Sequence, residues 1–346
     1  MLGKKNVNGH PHLDAIEPRA VLPGGEIRLR GAALRPPDYQ RPSVRIGDVS
    51  APVLISADDF IVAGVPENAA SGPVVVSTNG HKSNSVDVRV AVTIAEELHP
   101  VANPALDREG NLFVTFSGSR GQKVPVAIFK IDTDYEVQPF VTDMMNATAL
   151  AFDRAGDLYV SSRNDGTVFR VSPAGAVSTY AEGLGIATGI AFDKNENLYV
   201  GDRSGTIFKI ARDRQIFVFA TLEPSIAAYH LAFGPSGDLF VTGPTTSSFD
   251  VVHRVDPHGD VTTYYRGLGR PQGLAFDRKG NLYVAASLRG KRGIVKITPD
   301  AHASLEVSGQ GLVGLAFAPG GSAVLATNDA VHHLAWNIPG LPLLPD

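Results

Sequence analysis

Groups able to act as nucleophiles, proton carriers or metal ligands are thinly spread along this 346-residue chain. There is no cysteine, which removes thiolate nucleophiles, thiolate zinc sites and disulfide frameworks. The ten histidines include His99, His230, His253, His258 and the adjacent pair His332 and His333. Neighbours on a strand face opposite ways, so that last pair cannot chelate one ion together. Ser117-Gly118-Ser119 and Ser161-Ser162 lie outside any G-x-S-x-G elbow, and no G-x-x-x-x-G-K-[ST] phosphate loop occurs. What does gather is charge. Arg120, Lys123, Arg163, Arg203, Arg289, Lys291 and Arg292 stand against Asp165, Asp202, Asp250 and Asp329 in what reads below as one set of loops. That excess makes a modestly positive rim on a chain of formal charge −4, and it favours an anionic partner, a carboxylated sugar or an acidic protein patch. The plainer reading is that these bases keep loops soluble.

The elements that position these residues follow from a repeat. A short apolar run, then Asp-x-x-Gly-Asn/Asp, then Leu-Tyr/Phe-Val appears at Ala151–Val160, returns at Ala191–Val200 and returns again at Ala275–Val284. Weaker copies start at Asp107, Gly234 and Ala318. The anchors 107, 153, 193, 234, 277 and 318 are 46, 40, 41, 43 and 41 residues apart, a period that fits propeller blades of four strands. In the phrase, Asp bonds its own turn and Gly takes positive φ, which joins two strands into a hairpin. Third strands such as Gly166–Val171 and Gly205–Ile210 follow, then fourth strands such as Ala176–Tyr180 and Asp260–Tyr265. The last copy runs into Ile338-Pro339-Gly340-Leu341-Pro342, which cannot pair as a regular strand. Residues 92–97 align instead with an outermost strand, so the sequence predicts a ring closed by pairing of its two ends. Truncation at either end should then unfold it.

The first ninety residues read differently. Short strands with turn signals between them, from Ile16-Glu17-Pro18 through Ser85–Val90, suggest a small immunoglobulin-type sandwich. The stretch resembles the IPT/TIG family in its Ile16-x-Pro18 start, Pro23-Gly24-Gly25 turn, Val44-x-Ile46-Gly47 strand, Val65-Pro66 pair, and Asn79-Gly80 before Ser83-Asn84. That resemblance implies an Ig-like spacer or binding module. The fold expected is therefore all-β: an N-terminal immunoglobulin-like (TIG) sandwich over 10–91 and a six-bladed β-propeller over 92–346.

The repeat region resembles the NHL-repeat and regucalcin/gluconolactonase propellers over roughly residues 92–337. Members of the second family are metal-dependent hydrolases of sugar lactones. The resemblance implies metal ligands five residues before each turn Asp, at Ala102, Thr148, Thr188, Tyr229, Gln272 and Val313. Hard divalent cations want several oxygen ligands, preferably carboxylates, and this set has none. Ala102-Asn103-Pro104 has Ala where that family's glutamate stands, and Pro271-Gln272-Gly273 has Gln where its aspartate stands. Only His230 adjoins the expected mouth, and one histidine does not make a zinc site. Asp107, Asp153, Asp193, Asp202 and Asp277 read as turn-stabilising residues.

The function read from the sequence is thus a non-catalytic recognition protein that binds a small ligand, anionic or neutral, or a protein partner on the propeller's loop face. Candidate contact residues are Thr148, Thr188, Tyr229, His230, Gln272, Arg163, Arg203 and Arg289. No catalytic residue, metal ligand or cofactor is assigned. The alternative is a gluconolactonase-type hydrolase of sugar lactones, which requires a divalent cation. The near-neutral charge argues against nucleic acid, and no apolar stretch reaches the length of a membrane span. Met1–Asn6 has no apolar run behind its lysines, so the sequence as given reads as cytoplasmic by default, and as exported only with an upstream segment.

Overall fold

The structure, a computed structural model, describes residues 10–36, 40–119, 121–247 and 249–341. No helix in it is long and apolar enough to cross a membrane. The N-terminal part holds two facing sheets. His12–Glu17, Glu26–Ala32, Phe60–Gly64 and Val53–Ser56 form one; Val86–Val90, Gly72–Thr78, Ser43–Ile46 and Val49–Ala51 form the other. Apolar residues alternate with polar ones along these strands, and Ile27, Leu29, Ile46, Ile61, Val74 and Val76 meet in a core between the sheets.

Four-stranded antiparallel units follow, and their repetition makes the chain an all-β protein of propeller type. Unit one runs from Ala105–Leu106 to Val137–Val141, unit two from Ala147–Phe152 to Val177–Ala181, and unit three from Ala187–Phe192 to Ile216–Thr221. Unit four runs from His230–Phe233 to Val261–Gly269, and unit five from Leu274–Phe276 to Ala303–Ser308. The sixth contains Leu312–Phe317, Ala323–Thr327 and Val331–Leu334, and its outer strand is Val92–Ala95 from the other end of the ring. Thr93 pairs with His332 there, and Thr93 Oγ1 lies 3.1 Å from His332 Nδ1.

The turn chemistry is local. Asp107 Oδ1 accepts the Asn111 amide at 2.8 Å and its Oδ2 accepts Asn111 Nδ2 at 2.7 Å; Asp193 with Asn197, and Asp277 with Asn281, repeat the arrangement. In units two and four the carboxylates of Asp157 and Asp238 instead pair with Arg170 and Arg254 from the third strand.

An aromatic ladder joins the units. The residue six after each turn anchor packs edge-on against an aromatic of its own outer strand and another of the next unit's inner strand. Phe113 meets Phe140 and Phe152, Tyr159 meets Tyr180 and Phe192, Tyr199 meets Phe219 and Phe233, and Phe240 meets Tyr264 and Phe276. Ring centroids in these pairs lie 4.8–5.1 Å apart, the range in which edge-to-face attraction adds to burial. Tyr283 in unit five meets Phe317 and, in place of an outer-strand aromatic, Trp336 from the C-terminal tail. Between the sixth unit and the first the ladder is aliphatic: Val324, Ile94 and Leu106 occupy its places, within a cluster that includes Leu112, Val114 and Val331.

The two regions are not separated by a free linker. Ala20–Val21 inserts between them, pairing in parallel with Val307–Ser308 of unit five on one side and with Arg89–Val90 on the other. Leu22 donates its amide to the Ser308 carbonyl at 2.8 Å, and Ala20, Leu22 and Ala91 belong to the core between units five and six. Residues 20–22, expected to lie wholly within a self-contained N-terminal module, thus also complete the edge of the fifth unit.

Candidate functional site

The inner strands begin at the face carrying the outer-to-inner and second-to-third connections. Of the expected contact residues, Thr148, Thr188, Tyr229 and His230 are buried. The hydroxyls of Thr148, Thr188 and Tyr229 are committed to backbone within and between units. Thr148 Oγ1 donates to the Asn146 carbonyl at 2.9 Å. Thr188 Oγ1 donates to the Gly201 carbonyl at 2.9 Å and accepts the Tyr229 amide at 3.1 Å, while Ser161 Oγ donates to the Thr188 carbonyl. Thr242 Oγ1 donates to the Gln272 carbonyl at 2.5 Å.

The reason for the burial is how closely the inner strands approach. Asn103 donates Nδ2 to the Leu274 carbonyl at 2.9 Å and accepts the Leu315 amide on Oδ1 at 3.1 Å, so one side chain ties units one, five and six at the centre. Gly273 and Gly314 permit this. A Cβ on Gly273 would run into Asn103 Oδ1, and one on Gly314 would lie 2.7 Å from the Ala102 carbonyl and from Asn103 Cα. Ala102 and Val313 are buried at the same level.

Burial also fixes the protonation of what lies there. It pushes His230 down to about 4, so the ring is neutral at physiological pH. The Tyr229 hydroxyl, which donates to the Glu223 carbonyl, is pushed up to about 12, first by burial and then by the charges of Glu223 and Asp202. Three of the rim acids, Asp165, Asp202 and Asp250, serve turns. Asp202 accepts the Ile186 amide at 2.7 Å and the Ser204 hydroxyl. Asp250 accepts the Thr245 amide and hydroxyl at 2.9 and 2.8 Å and the Arg270 amide at 3.1 Å. Among the described residues no group of three His, Cys, Asp or Glu converges as a metal site would require.

The cations divide. Arg163 donates to the Gly118 carbonyl at 2.8 Å and Arg203 to the Ser225 carbonyl at 3.3 Å, each bracing a loop of an adjoining unit. Lys123 pairs with Asp143 at 2.8 Å on the surface. Arg120 lies outside the described residues. Arg289 stands exposed at a hairpin tip with φ 51°, next to Gly290 at φ 81°. The strand after that tip carries Arg292, which with Arg270 and Gln272 borders a niche floored by Ala286 and Leu312. Its free volume is about 10 Å³, room for about one water, so it is not an enclosing cavity. Gln272 is thus the one expected contact residue that borders the niche. Arg270 was not among the expected contacts, although its place at the end of an outer-to-inner connection, just before Pro271-Gln272, marks it as a loop-face residue. Asn103 was visible only as a non-ligand beside Ala102.

No protein-family model and no curated protein sequence matches this chain. Solved structures do resemble it. An auxiliary nutrient binding protein from Bacteroides ovatus is 12% identical with a TM-score of 0.55, over 96% of this chain and 99% of that one. A gluconolactonase-like protein is 17% identical with a TM-score of 0.60, over 72% of this chain and 93% of its own. Virginiamycin B lyase from Staphylococcus aureus is 14% identical with a TM-score of 0.53, over 74% of this chain and 88% of its own. These neighbours bear names of a binding protein, a hydrolase type and a lyase, so the likeness establishes a shared propeller-type fold and leaves chemistry to the site.

Proposed function

We propose that this chain is a non-catalytic recognition protein: an IPT/TIG-like module over 10–91 fixed to a six-bladed propeller over 92–346 that is closed by its own ends and binds a small carboxylated ligand on its loop face. The observation that carries the reading is the contrast at that face. Inner-ring hydroxyls, the Tyr229 hydroxyl and the carboxylates of Asp165, Asp202 and Asp250 are engaged in holding strands and turns. Arg270, Gln272 and Arg292 border a niche with room for about one water, and both arginines are exposed. Two arginines and a glutamine on one niche suit a carboxylate, because charge-assisted hydrogen bonds supply both strength and direction. The rest of such a ligand would lie across the open face toward Arg289.

Titration calorimetry with uronic acids and the matching neutral sugars tests this. Uronates bind and neutral sugars do not, and Arg270→Ala or Arg292→Ala each weakens binding about tenfold, near 1.4 kcal/mol. Metal analysis of the purified protein, with melts before and after chelation, tests the non-catalytic part. A stoichiometric cation whose removal lowers the melting temperature would overturn it and direct attention to lactone hydrolysis.

A further inference from the structure

The niche bordered by Arg270, Gln272 and Arg292 has an apolar flank. Phe249, in the connection between the second and third strands of unit four, is 65% exposed. It directly precedes Asp250, which pairs with Leu268 and accepts the Arg270 amide at 3.1 Å. Phe249 therefore lies about one strand spacing, roughly 5 Å, from Gly269 and Arg270, which border the niche. The loop is tied around it. Phe249 donates its amide to Ser247 Oγ at 3.1 Å, Ser247 donates its own to Thr245 Oγ1 at 3.0 Å, and Thr245 Oγ1 donates to Asp250 at 2.8 Å. Asp250 is buried with three donors on its carboxylate, so its charge is taken up inside the loop. Ile226, 46% exposed, donates its amide to the Pro244 carbonyl at 2.9 Å at the foot of the same loop. In ring order this apolar pair stands on the unit-four side of the niche, and the cations Arg270 and Arg292 stand toward unit five.

We infer that the carboxylated ligand proposed above, a reading on which this one rests, is an aryl carboxylate: its acid group meets Arg270 and Arg292, and its ring packs on Phe249 and Ile226. The spacing of roughly 5 Å between Phe249 and Gly269 suits a ring joined to the acid by one or two carbons. A phenyl ring set edge-on or offset on Phe249 gains more than its buried area alone supplies. The choice of an apolar ring over a sugar rests on hydrogen-bonding capacity. The hydroxyls of Thr148, Thr188 and Tyr229 and the carboxylates of Asp165, Asp202 and Asp250 are already bonded within the protein. A polyhydroxylated ring set here gives up water for few partners, and an apolar ring has no such bonds to lose.

Calorimetric titration of the full chain with phenylacetate, and with glucuronate as an acid on a hydroxylated ring, reads the result. Phenylacetate binds at least about tenfold tighter than glucuronate. Phe249→Ala removes that advantage and leaves the glucuronate affinity in place, and the melting temperature does not move because Phe249 is exposed. Arg270→Ala weakens both acids. Glucuronate binding that needs Arg270 while phenylacetate binds no tighter, or an advantage that Phe249→Ala leaves intact, overturns the aryl assignment alone. Absence of binding by either acid, or binding indifferent to Arg270→Ala, overturns the carboxylate site together with it.

Discussion

At the residue scale, His230 and His332 carry the clearest consequence of burial. Both are held near pKa 4 by loss of solvation, against about 6.5 in an unfolded chain. The folded values are the lower ones, so below pH 6.5 the unfolded chain takes up protons that the native chain refuses. Stability is complete above that pH, falls as the pH drops from 6.5 toward 4, and is flat below. Each group accounts for up to about 3 kcal/mol over that window. Melting curves between pH 7.5 and 4 should show the loss, and His230→Gln or His332→Gln should each flatten the slope. A melting temperature level down to pH 4 would contradict the burial. Protonation at His332 acts beside Thr93, on the strand pair that joins the ends of the ring.

At the element scale, the ladder of aromatics predicts where the ring is strong. Phe240→Ala removes a ring wedged between Tyr264 and Phe276 and should cost about 3–5 kcal/mol, read as a lowered midpoint in denaturant. The aliphatic Val324–Ile94–Leu106 seam lacks the edge-to-face term and is where opening should begin, visible as the earliest-exchanging amides of the strand cores. These elements were legible in the sequence because their signals are local. The turn aspartate and its asparagine are four residues apart, and the ladder positions fall at fixed offsets from it. The depth of the inner ring was not legible. Thr148, Thr188 and Tyr229 looked like mouth residues by spacing, but they are buried, Thr188 and Tyr229 with bonds from unit to unit, Ser161 to Thr188 and Tyr229 to Thr188, between residues 27 and 41 apart in the chain. Arg270 and Arg292 meet at the niche for the same reason, from two different connections.

At the scale of the whole molecule, the N-terminal sandwich and the ring share one continuous sheet through Ala20–Val21, a joint that no sequence pattern announces. Leu22 fastens it, lying over Gly309, where a Cβ would be 2.6 Å from Leu22 Cδ1. The two parts should therefore unfold together. Leu22→Ala, at about 2–5 kcal/mol for a buried leucine, should loosen the joint and split one calorimetric transition into two. A single unchanged transition would mean that the ring does not depend on the joint.

The pairing of Val92–Ala95 with Val331–Leu334 also sets a timetable for biosynthesis. Thr93 and His332 are 239 residues apart, and at about 5–20 residues per second a ribosome needs roughly 10–50 s between making one strand and making its partner. Through that interval the early strand is finished and has nothing to bond, and Ala20–Val21 likewise waits for Val307–Ser308. Units one to four can stack as they emerge, but the nascent chain keeps an open front edge and an open seam until Val331–Leu334 leaves the exit tunnel. A chain interrupted before Val307–Ser308 and Val331–Leu334 are made would therefore carry two adhesive edges, so the span that encodes those two strands is where folding yield is decided.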